Sequence, residues 1–407
     1  MLGGGTNPIE SPPLTATAEP TRELPPARER LAILALSMGA FVMALNSNVL
    51  AALGPFLVTE LSIDRQQFGY LVGSAGVAGA LGSLLLGPTV DRVGRRLPMC
   101  LGMVVFVLAS LGHLLVAGLG GLLVVRSVAG FAAGVVFTSA SAAVADMVPY
   151  ERRGRAMGVF TAGMFLGMAM GLPLAQVMAS RDWWQGIFLV QTVVGAIAMV
   201  AYWRVLPVDI GRGQRFLENL PKLLRLQIFA ALVSVMLYVG AFFTVVQFVG
   251  TWLDAEGIIP STRQGWVWLS LGLLTVVGAL FLARLSDRFG KRRFVMLATV
   301  VVALGIAGLT LVDGLWGLLL VGLPIALVSG SRSGPFQAVI SEMVSSDARG
   351  TLMGIRATFV NLGTGLFPML CGWVYESGNL AFDGVLLVAA ASVFLSYLLV
   401  QLWVKQK

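Results

Sequence analysis

The sequence predicts an all-α integral membrane protein: twelve transmembrane helices in two pseudo-symmetric six-helix bundles. Three observations carry this. Of 407 residues, 57% are hydrophobic and 12% charged, where soluble domains carry about a quarter charged residues. Apolar runs of about 18 residues or more recur along the chain, each long enough to cross a bilayer as a helix. Finally, two short motifs repeat at one offset. Gly87-Pro-Thr-Val-Asp91-Arg92-Val-Gly94-Arg95-Arg96 returns as Ala283-Arg-Leu-Ser-Asp287-Arg288-Phe-Gly290-Lys291-Arg292, and Arg153-Gly154-Arg-Ala-Met157-Gly158 returns as Arg349-Gly350-Thr-Leu-Met353-Gly354. Both pairs lie 196 positions apart, as Asp91 and Asp287 do. A shared offset marks two homologous halves.

Residues 1–28 are rich in Pro, Thr and Glu and hold no apolar run, so a disordered cytoplasmic tail is expected. It lacks the apolar core and cleavage site of a signal peptide. Twelve helices are then predicted at 31–57, 68–90, 97–117, 120–146, 155–178, 186–206, 226–253, 265–284, 293–312, 315–342, 351–374 and 383–404. The N-terminal bundle is 29–206 and the C-terminal bundle 226–407. Between them, 207–225 carries four basic residues and an amphipathic stretch around Phe216–Leu224, expected to lie along the membrane surface. Gly118-Leu-Gly120-Gly121 joins the third and fourth segments, and Asp313-Gly314 the ninth and tenth, which predicts one tight hairpin per half. Gly73, Gly76, Gly79 and Gly82 share one segment at helical spacing, a pattern for close helix packing.

Lys and Arg placement gives orientation. With the N-terminus in the cytoplasm, 22 of 28 basic residues fall on that side, three in outer loops (Arg65, Arg181, Arg263) and three inside spans. Both termini are then cytoplasmic, and the formal charge of +8 is a topology signal that leaves no role for nucleic acid. Cys100 and Cys371 sit in different halves, and one histidine with no Cys/His cluster leaves no metal site.

The pattern G-x-x-x-D-R-x-G-R-R between the second and third segments of each half resembles the signature loop of the major facilitator superfamily of secondary transporters. The first copy matches at every defined position; the second has Ala283 for the leading Gly. The resemblance runs from about residue 30 to 404 and includes bacterial drug/arabinose-efflux-type permeases. It implies a cytoplasmic gate at Asp91, Arg92, Gly94 and Arg95 and at Asp287, Arg288, Gly290 and Arg292, the Asp reaching basic groups and a helix end of the opposite half. Glycine at 94 and 290 suits the tight turn. Asp146 and Glu342 are equivalent at the same offset and are expected beside the signature arginines, as latch partners or as helix-end surface charges.

Candidate cavity residues come from the span interiors. All twenty acidic residues fall in the tail, loops or helix ends. The first segment offers Asn46 and Asn48, which bond a solute without titrating. Arg126 occupies the place of the family's fourth-helix arginine. Arg332 lies near the middle of the tenth segment, and Arg356 just inside the eleventh. A cation near the bilayer centre costs about 2.5–3.5 kcal/mol on insertion scales and needs a partner. With no mid-span acid, that partner is an anionic solute or backbone carbonyls; for Arg356 the alternative is snorkelling to the interface. Tyr238, Thr244, Gln247 and Gln337 complete the cluster. Gly167, Gly171 and Pro173 in the fifth segment, and Gly334 and Pro335 in the tenth, are expected hinges. The fifth departs from the family's antiporter motif, since Leu172 separates Gly171 from Pro173. His113 is expected near the outer surface, without a transport role.

The functional expectation is a secondary transporter of the inner (plasma) membrane, working as a monomer by alternating access. It exports a small amphipathic or anionic solute, in a direction taken from the resemblance. No nucleotide-binding loop is present, so movement is coupled to protons or another ion, or facilitated. Uptake or uniport of a polar metabolite, and a non-transporting scaffold, are the other readings. No nucleophile with a base and no cofactor site mark an enzyme.

Overall fold

The computed structural model describes residues 25–148, 150–208, 216–312, 314–345, 348–378 and 380–404. The N-terminal half comprises α1 (Pro26–Glu60), α2 (Arg65–Val93), α3 (Arg96–Gly112), α4 (Leu119–Met147), α5 (Tyr150–Ala179) and α6 (Gly186–Val205). A short α7 (Phe216–Asn219) follows in the connecting segment. The C-terminal half comprises α8 (Leu226–Ala255), α9 (Gly265–Leu280), α10 (Leu285–Phe289), α11 (Lys291–Gly308), α12 (Gly314–Ser341), α13 (Arg349–Ser377) and α14 (Ala381–Trp403). Among the described residues, eleven helices are long and apolar enough to cross a membrane, and α3, at 17 residues, is a shorter apolar helix at the predicted third span.

Local chemistry fixes several ends. Asp64 caps α2, its carboxylate accepting from Gln67 N at 2.6 Å while the Gln67 amide oxygen accepts from Asp64 N at 3.2 Å, a reciprocal box. Gly94 and Gly290 close α2 and α10 at φ of 76° and 83°, left-handed values that favour glycine. Pro26 opens α1, where a missing N–H costs nothing.

Several expectations are corrected. α1 begins at Pro26, so residues 26–28 of the expected tail are helical, while 1–24 lie outside the described residues. α5 begins at Tyr150, which places the Arg153-Gly154 motif inside a helix. The predicted eighth span divides: α9 ends at Leu280, a 3-10 turn follows at Leu282–Arg284, and α10 carries the signature Asp287. The expected hinges do not interrupt their helices. α12 runs through Pro324 and Pro335, and α5 through Pro173. In a bilayer, helix packing tolerates the lost backbone bond. Gly167 and Gly171 instead let α5 lie directly against Phe41 and Leu45 of α1. α7 rests against α2 and α13, and residues 209–215 of the connection lie outside the described residues.

The halves join unequally along their length. Call the end bearing Gly94 and Gly290 the signature end. At the far end a single apolar cluster crosses between halves, through Leu53 and Phe68 to Phe248 and Leu253. Towards the signature end the clusters separate, one around Met99, Phe160 and Tyr202, another around Leu223, Phe336 and Leu352. α2 lies on α13, α5 on α9 and α1 on α8. Cross-half hydrogen bonds run from Arg65 N to Glu376 (3.1 Å) and from Gln176 to Ser261 O (3.0 Å) down to Asn361 and Ser83 (3.1 Å). Any side chain at Gly73 or Gly76 would collide with the backbone of Gly365, so α2 and α13 touch main chain to main chain.

Candidate functional site

Between the halves lies an apolar cavity. α1 and α5 of one half give it Asn48, Met168 and Leu172; the other half gives Phe242, Trp268 and Ile325, among others. Of the predicted cavity residues, Asn48 alone lines this space, and its amide is committed to Ala44 O at 2.9 Å. Trp268, which the sequence reading passed over, presents a buried indole N–H with no partner. Its signal in the sequence was a tryptophan within an apolar span, since a buried indole N–H normally finds a partner.

Behind the cavity, the first arginine is held by Asn46 of α1. Arg126 Nη1 donates to Asn46 Oδ1 at 2.9 Å and to Asn46 O at 3.2 Å. The expectation of backbone carbonyl partners is met here. Gln247 of α8 donates to the next carbonyl, Ser47 O, at 3.0 Å. Two adjacent carbonyls of α1 are therefore gripped from opposite halves. Thr244 turns inward to bond Gly240 O at 2.8 Å.

The second arginine is placed differently. Arg332 is 2% exposed and points into the interior of the C-terminal half, not into the inter-half cavity. Its Nε donates to Thr299 Oγ1 at 2.7 Å, and its guanidinium carbon lies 3.7 Å from the Tyr238 ring centroid and 4.5 Å from that of Phe336. Aromatic faces and hydroxyls disperse the charge without an acid. Tyr238 in turn stacks on the cavity residue Phe242 at 6.3 Å, its own hydroxyl buried and unpartnered. Arg356, on α13, is half-buried with an unpartnered Nε. The two cations repel one another across this half. Gln337 is half-buried and lies outside the cavity lining.

The signature end holds two equivalent ion pairs. Arg95 meets Asp146 at 2.7 Å, and Lys291 meets Glu342 at 2.8 Å. Each residue is 196 positions from its counterpart, so the repeat extends to the contacts. Both pairs lie within one half, tying the start of α3 or α11 to the end of α4 or α12. Asp146 and Glu342 thus sit beside cations of the signature loops, as expected of them. Asp287 is exposed and makes no ion pair among the described residues, and Arg92 and Arg288 are exposed. Arg292 bonds the α14 carbonyl of Gln401 at 2.8 Å, a further same-half tie. The side chain of Asp91 lies outside the described residues.

His113 stands at the end of α3, and α6 covers it: it is 1% exposed and its ring stacks on Phe188 at 3.9 Å.

Among the described residues, eleven membrane-length helices and the shorter apolar α3 form two repeated halves with a cavity between them. The sequence profile of the Major Facilitator Superfamily matches residues 36–258 and 257–407. The chain belongs to that superfamily. An uncharacterised MFS-type transporter of Bacillus subtilis, YceJ, is 23% identical over 347 residues, 83% of this chain and 87% of that protein. The 3-(3-hydroxy-phenyl)propionate transporter of Escherichia coli is 27% identical, covering 83% of each. Among solved structures, the human organic anion transporter MFSD10 (TETRAN) superposes with a TM-score of 0.71 at 18% identity, covering 93% of this chain and 100% of that one. The chain is a multi-pass membrane transporter and not an enzyme; proteins of this superfamily carry small molecules.

Proposed function

We propose that this transporter moves a small amphipathic organic anion across the plasma membrane by alternating access, exporting it. The observation that carries the reading is the cationic interior of the C-terminal half. Arg332 and Arg356 lie there with hydroxyls and aromatic rings around Arg332, an unpartnered Nε on Arg356, and no described acid in an ion pair with either. A guanidinium removed from water favours an anion. The adjoining cavity wall of Phe242, Trp268 and Ile325 suits the apolar body of such a solute. A relative named for 3-(3-hydroxy-phenyl)propionate, an aryl carboxylate, supports the same class. If the signature end faces the cytoplasm, as its basic residues suggest, the sealed far end faces out and the cavity loads from the cell.

Thermal unfolding of the purified protein in detergent tests this. A ligand that binds the folded state at a hundredfold excess over Kd adds about 2.7 kcal/mol of stability. Benzoate, 3-phenylpropionate and glucuronate are set against tetraphenylphosphonium and glucose, on wild type and Arg356→Ala. The expected result is a rise in Tm with the aryl carboxylates that is lost in the variant. A rise with tetraphenylphosphonium alone, unchanged by the variant, overturns the reading.

A further inference from the structure

The N-terminal half buries polar groups that its contacts leave unsatisfied. Ser110 and Gln191 are each 0% exposed, and neither the Ser110 hydroxyl nor either amide atom of Gln191 has a hydrogen-bond partner. His113 joins them. Its Nδ1 lies 2.8 Å from Ala109 O, and a carbonyl only accepts, so Nδ1 carries the hydrogen. Nε2 is then a bare lone pair, buried and without a donor.

The helix register brings these groups together. A Cβ at Gly195 of α6 would lie 3.1 Å from Val107 of α3, and further along Phe188 stacks on His113. Gln191 therefore falls opposite Ser110, one turn from the imidazole. On the other side, a Cβ at Gly112 would lie 3.0 Å from Val125 of α4, which sets Arg126 beside His113. Arg126 is the charged group facing the ring, and acts on it electrostatically. α6 faces it with Phe188 and Gln191, neither of which titrates. Arg181 and Asp182, in the nearby α5–α6 turn, are exposed.

We propose that His113 is a proton-binding site of the transport cycle, taking a proton on Nε2 when the cluster opens to water and releasing it when the cluster is sealed as here. Imidazole is the side chain that ordinarily titrates between pH 5 and 8, and this chain has one histidine and no acid in the middle of a span. The bond formed is Nε2–H and the proton comes from water. The imidazolium then sets a second positive charge beside Arg126, weakening the hold of Arg126 on Asn46. Because Gln247 of the other half grips the next carbonyl of α1, the charge on His113 reaches the contact between halves.

The single histidine makes the test direct. The full chain, carrying a histidine-free affinity tag, is labelled with [13C,15N]histidine in lipid nanodiscs, and its one imidazole is followed by NMR from pH 5 to 9. The expected wild-type result is a neutral ring with hydrogen on Nδ1 at high pH that protonates with a midpoint inside the range. Arg126→Gln removes a like charge and raises the midpoint by about one unit; Gln191→Glu, an independent variant should the first not fold, places an acid beside the ring and raises it likewise. An imidazole that stays neutral to pH 5 in wild type and both variants overturns the proposal. So does a midpoint unmoved by either variant, which returns His113 to an ordinary water-exposed ring. The readout uses no solute, so it stands or falls apart from the anion reading.

Discussion

The two halves agree at the signature end and differ in the interior. Arg95–Asp146 and Lys291–Glu342 occupy matching positions and tie matching helices. Arg126 and Arg332 do not match: the position equivalent to Arg126 is Gly322, and that equivalent to Arg332 is Val136. One arginine is bound by an amide and a carbonyl of α1; the other lies between two aromatic faces and a threonine. What the repeat kept alike in charge ties helices within each bundle, and what diverged is the polar interior in which solute and coupling chemistry are proposed. Even the matched pairs differ in setting. The Arg95 side chain is 7% exposed, while Lys291 and Glu342 are 34% and 46% exposed.

The largest effect is expected where the halves touch. Gly76→Leu drives a side chain into Gly365, and should lower transport in proteoliposomes more than tenfold while each half keeps its helical content by circular dichroism. Wild-type flux would mean that the α2–α13 approach is not needed for the cycle. Next comes the matched pair. Arg95→Ala removes the more buried of the two matched ion pairs and should cost about 1.5–3 kcal/mol in chemical denaturation. An intermediate loss, about 1 kcal/mol, is expected for Asn46→Ala, which leaves Arg126 one carbonyl of its present grip. Lys291→Ala should cost least, about 0.2–1 kcal/mol, and that cost should shrink in high salt. Equal losses for Arg95→Ala and Lys291→Ala would erase the difference in setting between the halves.

Much of this was legible in the sequence. Apolar run length placed all twelve spans, and the offset of 196 paired Asp146 with Glu342 before any contact was visible. Asn46 and Arg126 were both singled out from their spans, although not as partners. What the sequence hid depends on contacts between distant segments. Thr299 and Ser396, the hydroxyls near Arg332, are ordinary residues of the ninth and twelfth spans and carry no motif. That His113 is covered by α6, through Phe188, depends on a segment some seventy positions away and left no mark near the residue itself. Prolines 173 and 335 were read as hinges; both helices continue through them, since packed membrane helices absorb the lost bond.

The meeting of α2 with α13 has a mechanical consequence. Bare main chain on main chain has no rotamers to rearrange, so the surface resists compression but sets no ratchet of interlocking side chains against rolling. If the halves tilt, this line is where their separation can change least, because Gly73 and Gly76 already lie against the main chain of Gly365.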